Sequence, residues 1–258
     1  MTTEEVRLVK SAERTLRILE VLGEARGPIS VTELHKRTGY PRSSLHQLLH
    51  TMIATGWIES TSEGALVGIG SRALLVGTAY LDRDPALPFG IRTLEKIREE
   101  TGYTSHYARL DGGSVIYLAT RESLSPHRAT SRVGRQLPAY ATSLGKALLA
   151  ELTLTEVSLA VPADPLPGLT PHTVPNQVEL AIELEQTRQR GYSLEREQNT
   201  LGLGCIGVPV PYRIPATDAI SCSIPIDQCT DAEVERVAAI IREQVQLLAT
   251  KLRAEGIR

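Results

Sequence analysis

An α+β fold in two parts is what this sequence predicts, on three observations. Residues 30–60 read as a short helix, a glycine-containing turn and a longer amphipathic helix, followed by two short strand-like runs. Residues 103–121 switch from a helical period to a period of two around Asp111, Gly112 and Gly113, a hairpin signal. Thr230 then opens a long helix that is apolar along one side. A chain of 258 residues has room for two domains. The expected divisions are residues 1–70, a linker helix and boundary over 71–87, and residues 88–258.

In order, residues 1–10 are polar and unpatterned and are expected to form a frayed arm. The first helix is expected from about Ser11, a good N-cap, to Glu24, with Leu16, Leu19 and Leu22 inward. Gly27 and Pro28 stop it. Ser30 caps a second helix over Val31 to Arg37, and Glu33 supplies the other half of a capping-box pattern. Gly39 ends that helix. Pro41, with its fixed φ and missing N–H, suits the first position of a third helix running to about Thr55. Leu45, Leu48, Leu49, Met52 and Ile53 give this helix a single apolar stripe. After Gly56, the run WIEST, the turn residues Ser62, Glu63 and Gly64, and the run ALVGIG make a strand, a tight turn and a strand, the wing of a winged helix-turn-helix.

The opposite face of the third helix carries Ser43, His46, Gln47 and His50, with Arg42 and Ser44 in its first turn. No acid occurs between Arg42 and Thr55, so the face is built to meet acceptors and anions. Helix pairs joined by a glycine turn also occur in domains that touch no nucleic acid. Here the wing, the acid-free face and the N-terminal position favour double-stranded DNA as partner, with Ser43, His46 and Gln47 at base edges and Arg42 and Ser44 nearer phosphates.

Residues 71–81 form an apolar-rich linker helix, and two prolines within 82–88 mark the boundary. A helix starting near Pro88 turns Ile91, Leu94 and Ile97 inward and ends at Gly102. Strands Tyr103 to Leu110 and Ser114 to Arg121 flank the hairpin turn, and a third is expected between Glu122 and Pro138. Arg128, Arg132 and Arg135 in that stretch fit a solvated or subunit-facing edge, with ligand binding as the alternative. A helix opens at Thr142 to Gly145, a proline-punctuated loop covers 161–175, and another helix runs from Asn176 to Arg190. Cys205 to Val210 and Ala219 to Ile226 are strand-like. The final helix, with Glu233 as capping-box partner of Thr230, lines up Val234, Val237, Ile241, Val245, Leu248 and Leu252. The second part is thus a mostly antiparallel sheet covered by helices.

The net charge of −2 opposes a protein that coats nucleic acid by bulk electrostatics, and residues 1–60 carry 8 Lys or Arg against 7 Asp or Glu. Any DNA affinity must come from a few placed contacts and from more than one copy of the helix. No apolar run approaches the roughly 18–20 residues of a membrane span, and MTTEEVRLVK lacks a signal-peptide core, so no membrane partner and a cytoplasmic location are expected. The three cysteines Cys205, Cys222 and Cys229 are odd in number and lack zinc spacing, so neither a disulfide framework nor a metal site is expected.

Gly202, Gly204 and Gly207 match G-x-G-x-x-G, but Pro209, Pro211 and Pro215 forbid the helix that a dinucleotide site requires. These glycines suit a turn and a close backbone approach at a cavity mouth. The run ATSLGKA lacks the leading glycine of a phosphate loop. Free N–H groups around Ser143, Leu144 and Gly145 can still hold a small carboxylate, unless Thr142 or Ser143 simply caps the helix. A cysteine-dependent hydrolase or amidase would need Cys205 beside His106, His127 or His172, in a nucleophile context that the sequence does not supply. No cofactor and no catalytic residue are expected.

Six segments carry a family likeness: SAERTLRILEVL, VTELHKRTGYPRSSLHQLLHTM, TGYTSHYARLDGGSVIYLA, VGRQLPAYATSLGKALLA, RQRGYSLEREQNTLGLGCIGVPV and AISCSIP. In order and spacing the chain resembles the IclR family of bacterial transcriptional regulators over nearly its full length. The resemblance implies an N-terminal winged helix-turn-helix, a linker helix, a GAF/profilin-like effector domain, and homodimers that pair into tetramers. It implies a small-molecule effector, an organic acid of carboxylic or aromatic type, that modulates operator binding. It implies a pocket lined by Ser143, Leu144, Gly145, Glu195, Leu203, Cys205, Ser221 and Ser223. Two departures stand out. Tyr140 replaces the family's histidine after Leu-Pro, and Ile224 replaces the glycine of S-x-S-G-P, where an added side chain is expected to shrink or reshape the pocket.

Overall fold

The computed structural model describes residues 9–25, 27–61, 65–123 and 133–258. The chain forms two compact units, Met1–Arg83 and Asp84–Arg258.

In the first unit, α1 (Lys10–Glu24), α2 (Val31–Thr38) and α3 (Arg42–Ala54) pack with a small antiparallel sheet of β1 (Ile29–Ser30), β2 (Ile58–Ser60) and β3 (Leu66–Ile69), ordered β1-β3-β2. Ser30 Oγ accepts from Glu33 N at 3.1 Å, capping α2. The box stays half made, because the Glu33 carboxylate turns outward to Arg37 Nε at 2.7 Å. Gly39, at φ 67°, takes the left-handed position that ends α2. Pro41 is the N-cap of α3, one position before its expected place. The core holds Ile18, Val21 and Leu22 of α1, Leu34, Leu45, Leu49, Met52, Ile58 and Val67. Two expected core residues lie elsewhere: Leu16 is 61% exposed and Ile53 37%. Helix α1 presents Ile18, Val21 and Leu22 at i, i+3 and i+4 to its neighbours, which leaves Leu16 on the far side. Gly70 closes the wing where only hydrogen fits, since a Cβ there would lie 2.4 Å from Gly56 O. The wing turn at Ser62 to Gly64 and the arm over 1–8 lie outside the described residues. Helix α4 (Ser71–Asp82) completes the unit and buries none of its side chains.

The second unit is built on a six-stranded antiparallel sheet ordered β6-β5-β4-β9-β8-β7. Its strands are β4 (Thr104–Asp111), β5 (Ser114–Arg121), β6 (Gln136–Pro138), β7 (Ser193–Arg196), β8 (Leu203–Pro209) and β9 (Asp218–Pro225). Helices α5 (Leu87–Thr101) and α9 (Asp231–Ala254) pack on one face, and α6 (Ser143–Leu149) and α8 (Gln177–Arg190) on the other. A short helix α7 (Leu154–Ala160), fully capped by the Thr153–Glu156 box, precedes an irregular stretch over 161–175. Strand β7 and helix α7 were not expected from the sequence. The six apolar residues predicted along α9 are all buried. Thr230 caps α9 through Glu233 N, while the Glu233 carboxylate pairs with Arg236.

The third expected strand is confined to β6; Arg128, Arg132 and His127 lie outside the described residues. The glycine run behaves as a turn plus two close approaches. Gly202 sits at φ 81°, a Cβ on Gly204 would meet Cys229 Sγ at 2.4 Å, and one on Gly207 would meet Ser143 O at 2.5 Å. Ile224 is fully buried and alternates with Ser223 on β9. It faces the α5–α9 side with Cys222, whose thiol meets Thr101, so the expected narrowing of a pocket beside Ser223 does not occur. Among the described residues no helix is long and apolar enough to cross a membrane.

Candidate functional site

Helix α3 exposes Arg42, Ser43, His46, Gln47 and His50, while Leu45 and Leu49 anchor its other side in the core. Ser44 is half-buried and accepts from Arg14 Nη1 at 3.0 Å. The same Arg14 guanidinium stacks over Tyr40 at 5.2 Å, and His35 Nδ1 meets Tyr40 O at 2.7 Å. These contacts fix the turn entering α3 and hence the direction in which its exposed face points. Arg14 escaped sequence reasoning because nothing in α1 shows that its side chain crosses to another helix. An exposed, acid-free, hydrogen-bonding helix face on a rigid three-helix core suits a DNA major groove.

In the second unit, a cavity of about 100 Å³ opens on the α6 face of the sheet, lined by His106, Tyr117, Arg135, Leu137, Glu195, Asn199, Thr200, Leu203, Cys205 and Ser223. Strand order explains the convergence. Placing β9 between β4 and β8 brings Ser223 within 3.2 Å of His106 Nε2 and 3.4 Å of Cys205 Sγ. His106 Nδ1 meets Thr120 Oγ1 at 3.1 Å, and its ring stands edge-on to Tyr117 with centroids 5.3 Å apart. Complete burial pushes the His106 imidazole down to about 4, so it is neutral near pH 7. Burial also raises Tyr117, Glu195 and Cys205, the last further opposed by the nearby Glu195 charge. Arg135 stands exposed at the rim.

The turn from β7 to β8 covers part of this cavity and is tied down from several sides. Gln198 N donates to Glu195 Oε2 at 2.8 Å. The buried ammonium of Lys146, on α6, reaches both the Glu183 carboxylate and Gln198 Oε1, and Gln198 Nε2 donates to Glu183 Oε1 at 3.0 Å. Thr170 and Thr173 hydroxyls donate to Glu197 O at 2.6 Å and Gln198 O at 2.7 Å. Tyr140, in the place of the family histidine, donates to Pro167 O at 2.7 Å and so helps hold the 161–175 stretch against the domain.

Of the eight effector residues named from the sequence, Glu195, Leu203, Cys205 and Ser223 line the cavity. Ser221 is buried two positions along β9, and Ser143, Leu144 and Gly145 are buried in α6; none of the four lines it. The N–H of Gly145 is taken by Thr142 Oγ1 at 3.1 Å, so the capping alternative for this helix end is realised. Sequence reasoning missed Tyr117, Leu137, Asn199 and Thr200; His106 was named only as a candidate partner of Cys205 in a hydrolase, and Arg135 only within an arginine set. Period two alone marks His106 and Tyr117 as same-face candidates, but not the strand order that joins them to Ser223.

The hydrolase alternative fails on this geometry. Cys205 is half-buried, desolvation raises its pKa, and its sulfur meets Ser223 rather than an imidazole, whereas a nucleophile needs a thiolate beside a base.

Comparison with known proteins gives a single answer for both units. The family described as "IclR helix-turn-helix domain" matches residues 11–62, and "Bacterial transcriptional regulator IclR C-terminal" matches residues 79–250. The "Transcriptional repressor IclR" of Escherichia coli (strain K12) is 33% identical over 237 residues, covering 90% of this chain and 86% of that protein. The structure of a transcriptional regulator of this type from Alicyclobacillus acidocaldarius aligns with TM-score 0.81 at 20% identity, over 95% of this chain and 99% of that one. An IclR homologue from Microbacterium hydrocarbonoxydans, complexed with 4-hydroxybenzoate, aligns with TM-score 0.75 at 25% identity over 95% and 99%.

Proposed function

Because this chain belongs to the IclR family of bacterial transcriptional regulators, with a helix-turn-helix DNA-binding domain and a C-terminal effector domain, we propose a finer reading of both halves. Ser43, His46, Gln47 and His50 of α3 meet base edges and Arg42 meets phosphate, while Ser44 positions the turn through Arg14. Two copies of α3 enter successive major grooves about one turn apart. The copies are brought together through the apolar surface of α4, where Leu74, Leu75 and Val76 are 67%, 71% and 56% exposed, and pairs of dimers form tetramers. The protein acts in the cytoplasm on chromosomal operators. The domains divide as residues 1–70, a linker over 71–87 and residues 88–258.

The effector is a short hydroxy- or oxo-carboxylate. Cavity size carries this choice over an aromatic acid. An engineered protein cavity of about 150 Å³ holds benzene, and this one, at about 100 Å³, is smaller than that, with hydroxyl, thiol, amide and carboxyl groups beside Leu137, Leu203 and the Tyr117 ring. The 4-hydroxybenzoate bound by the Microbacterium protein supports a carboxylate ligand; its ring is the part that the small cavity of this chain argues against. Arg135 at the rim draws the anion, and the Asn199, Thr200 and Ser223 side chains supply hydrogen bonds. Neither Ser143, Leu144, Gly145 nor Ser221 touches the effector directly; they shape the wall behind Glu195 and Ser223.

A thermal-shift series of straight-chain hydroxy- and oxo-carboxylates alongside benzoates tests this, since a ligand bound only by the folded state raises its stability. The largest shift is expected at two to four carbons, with the same acids changing retardation of the protein's own upstream DNA. A dominant response to benzoates would sink the short-acid reading.

A further inference from the structure

We propose that Glu195 meets the effector as a neutral carboxylic acid that donates a hydrogen bond to the effector's carboxylate, so that each anion entering the cavity brings one proton with it. The proposal rests on the short-carboxylate reading above and adds a chemical role for one residue that sets specificity.

Glu195 is 2% exposed on β7, it lines the cavity, and its carboxyl group accepts from Gln198 N at Oε2, from Asn199 N and from the Cys205 thiol, contacts that burial outweighs. Among the described residues no ammonium or guanidinium comes within 4.0 Å of its carboxyl group. Lys146 of α6, the nearest buried cation, is committed to Glu183 and Gln198. The other ionisable groups around it are Cys205 of β8, His106 of β4, Tyr117 of β5, Arg135 ahead of β6 and Cys229 ahead of α9. Of these only Arg135 is a cation lining the cavity, and it stands at the exposed rim.

A second carboxylate placed inside about 100 Å³ therefore lies against Glu195 with no cation between them. Two like charges sharing a desolvated site cannot both persist, and one of them takes a proton. The free acid has a pKa near the usual carboxylate range, whereas burial already raises Glu195, so the proton settles on Glu195. The repulsion then becomes an O–H to carboxylate hydrogen bond, one of the stronger kinds. The proton comes from solvent and no covalent bond other than this O–H forms. Neutral His106 titrates near 4, and burial raises Cys205 and Tyr117, so these three do not take up the proton near neutral pH.

Calorimetry on the full-length protein tests this, with glycolate as the anionic probe and glycolamide as its neutral near-isostere, from about pH 6 to about pH 8.5 in buffers of low and high ionisation enthalpy. On the alkaline side glycolate should bind with uptake approaching one proton and lose about tenfold in affinity per pH unit. Glycolamide should show no slope. Glu195→Gln should bind glycolate without slope or uptake and should melt as one transition. Glycolate binding with no uptake in the wild type, or an unchanged slope in the variant, overturns the proposal alone. If neither probe nor any other short carboxylate binds at any pH, the effector reading fails and the proposal falls with it. Should the variant not fold, the wild-type proton count decides by itself.

Discussion

The Arg109 guanidinium grips the buried carboxylate of Asp218 across the β4–β9 ladder, through Nε to Oδ1 at 2.6 Å and Nη2 to Oδ2 at 2.9 Å. Asp218 also accepts from the hydroxyls of Tyr107 at 2.7 Å and Tyr212 at 2.5 Å. Arg109 reaches on to Asp84 Oδ2 at 2.7 Å, while Asp84 Oδ1 accepts from Ala86 N and Leu87 N at the start of α5. One charged cluster thus joins two central strands to the first residues of the unit. Replacing Asp218 by Asn keeps the shape but takes one of two carboxylates from the Arg109 guanidinium, leaves Asp84 as its counter-charge, and weakens the hydrogen bonds from both tyrosine hydroxyls. Equilibrium denaturation should register a loss of about 1–3 kcal/mol; a change below about 0.5 kcal/mol would mean that the cluster is incidental.

The same carboxylate sets a pH dependence. Burial alone would raise Asp218, but hydrogen bonding and charge from Arg109, with the Tyr212 and Tyr107 hydroxyls, hold it below its ordinary 3.8. A carboxylate depressed in the folded state contributes stability that is fully present above the unfolded value and is lost as pH falls through the folded one. Acid titration of unfolding free energy should therefore steepen below about pH 4 in the wild type, and less so in Asp218→Asn.

How far the sequence reaches is clear from particular residues. The six apolar positions of α9 were legible because a long helix against one sheet face shows its period directly. In α1 two apolar arcs overlap, and only packing against α2 and α3 decides that Ile18 and Val21 are buried and Leu16 is not. Period two also separates Ser221 and Ser223 from Cys222 and Ile224 on β9, yet the expectation that Ile224 narrows the pocket passed this parity over, because it treated the position as part of a turn. The meeting of His106 and Ser223, 117 residues apart, was not, because it depends on which strands are neighbours rather than on any local pattern. The end of α6 had two physically equivalent readings, a free anion site or a capped turn, and the Thr142 hydroxyl chose between them.

Lys146 links the cavity to the helices behind it. Its ammonium is wholly buried, yet it ties Glu183 of α8 to Gln198, next to the cavity residues Asn199 and Thr200. Lys146→Met fills the same volume without the charge. Glu183 remains partly exposed and can take water in place of the ammonium, so the stability loss should be about 1–3 kcal/mol. The larger effect should be on the turn. The thermal shift produced by short carboxylates should shrink, while retardation of operator DNA without ligand stays at the wild-type level. An undiminished shift would remove Lys146 from any role in shaping the cavity.

On α3 the exposed and buried faces separate two kinds of failure. Gln47→Ala should leave the melting temperature unchanged and cost about 1–3 kcal/mol of operator affinity, confined to one base pair in a binding-site selection. Leu45→Ala, at a fully buried position, should cost about 2–5 kcal/mol of stability and weaken binding to every sequence alike. If Gln47→Ala left sequence preference unchanged, Gln47 would not be a base-reading residue.

Helix α4 carries the last prediction. Leu74, Leu75 and Val76 are adjacent residues on a helix that buries none of its own side chains within the unit, so their exposure does not follow from a choice of face. A helix apolar on several sides and uncovered by its own domain is stable in water only when something covers it. The second copy of the chain proposed above would also meet the charge constraint, because the near-neutral first 60 residues leave a single α3 short of the phosphate contacts that hold DNA. Replacing Leu74 and Leu75 together by Glu should lower the mass seen in sedimentation, and the operator complex should weaken much more than one weakened phosphate contact would explain. Binding of short carboxylates, which depends on the second unit, should persist. A doubly substituted protein that sediments and retards DNA like the wild type would move the contact between copies away from α4.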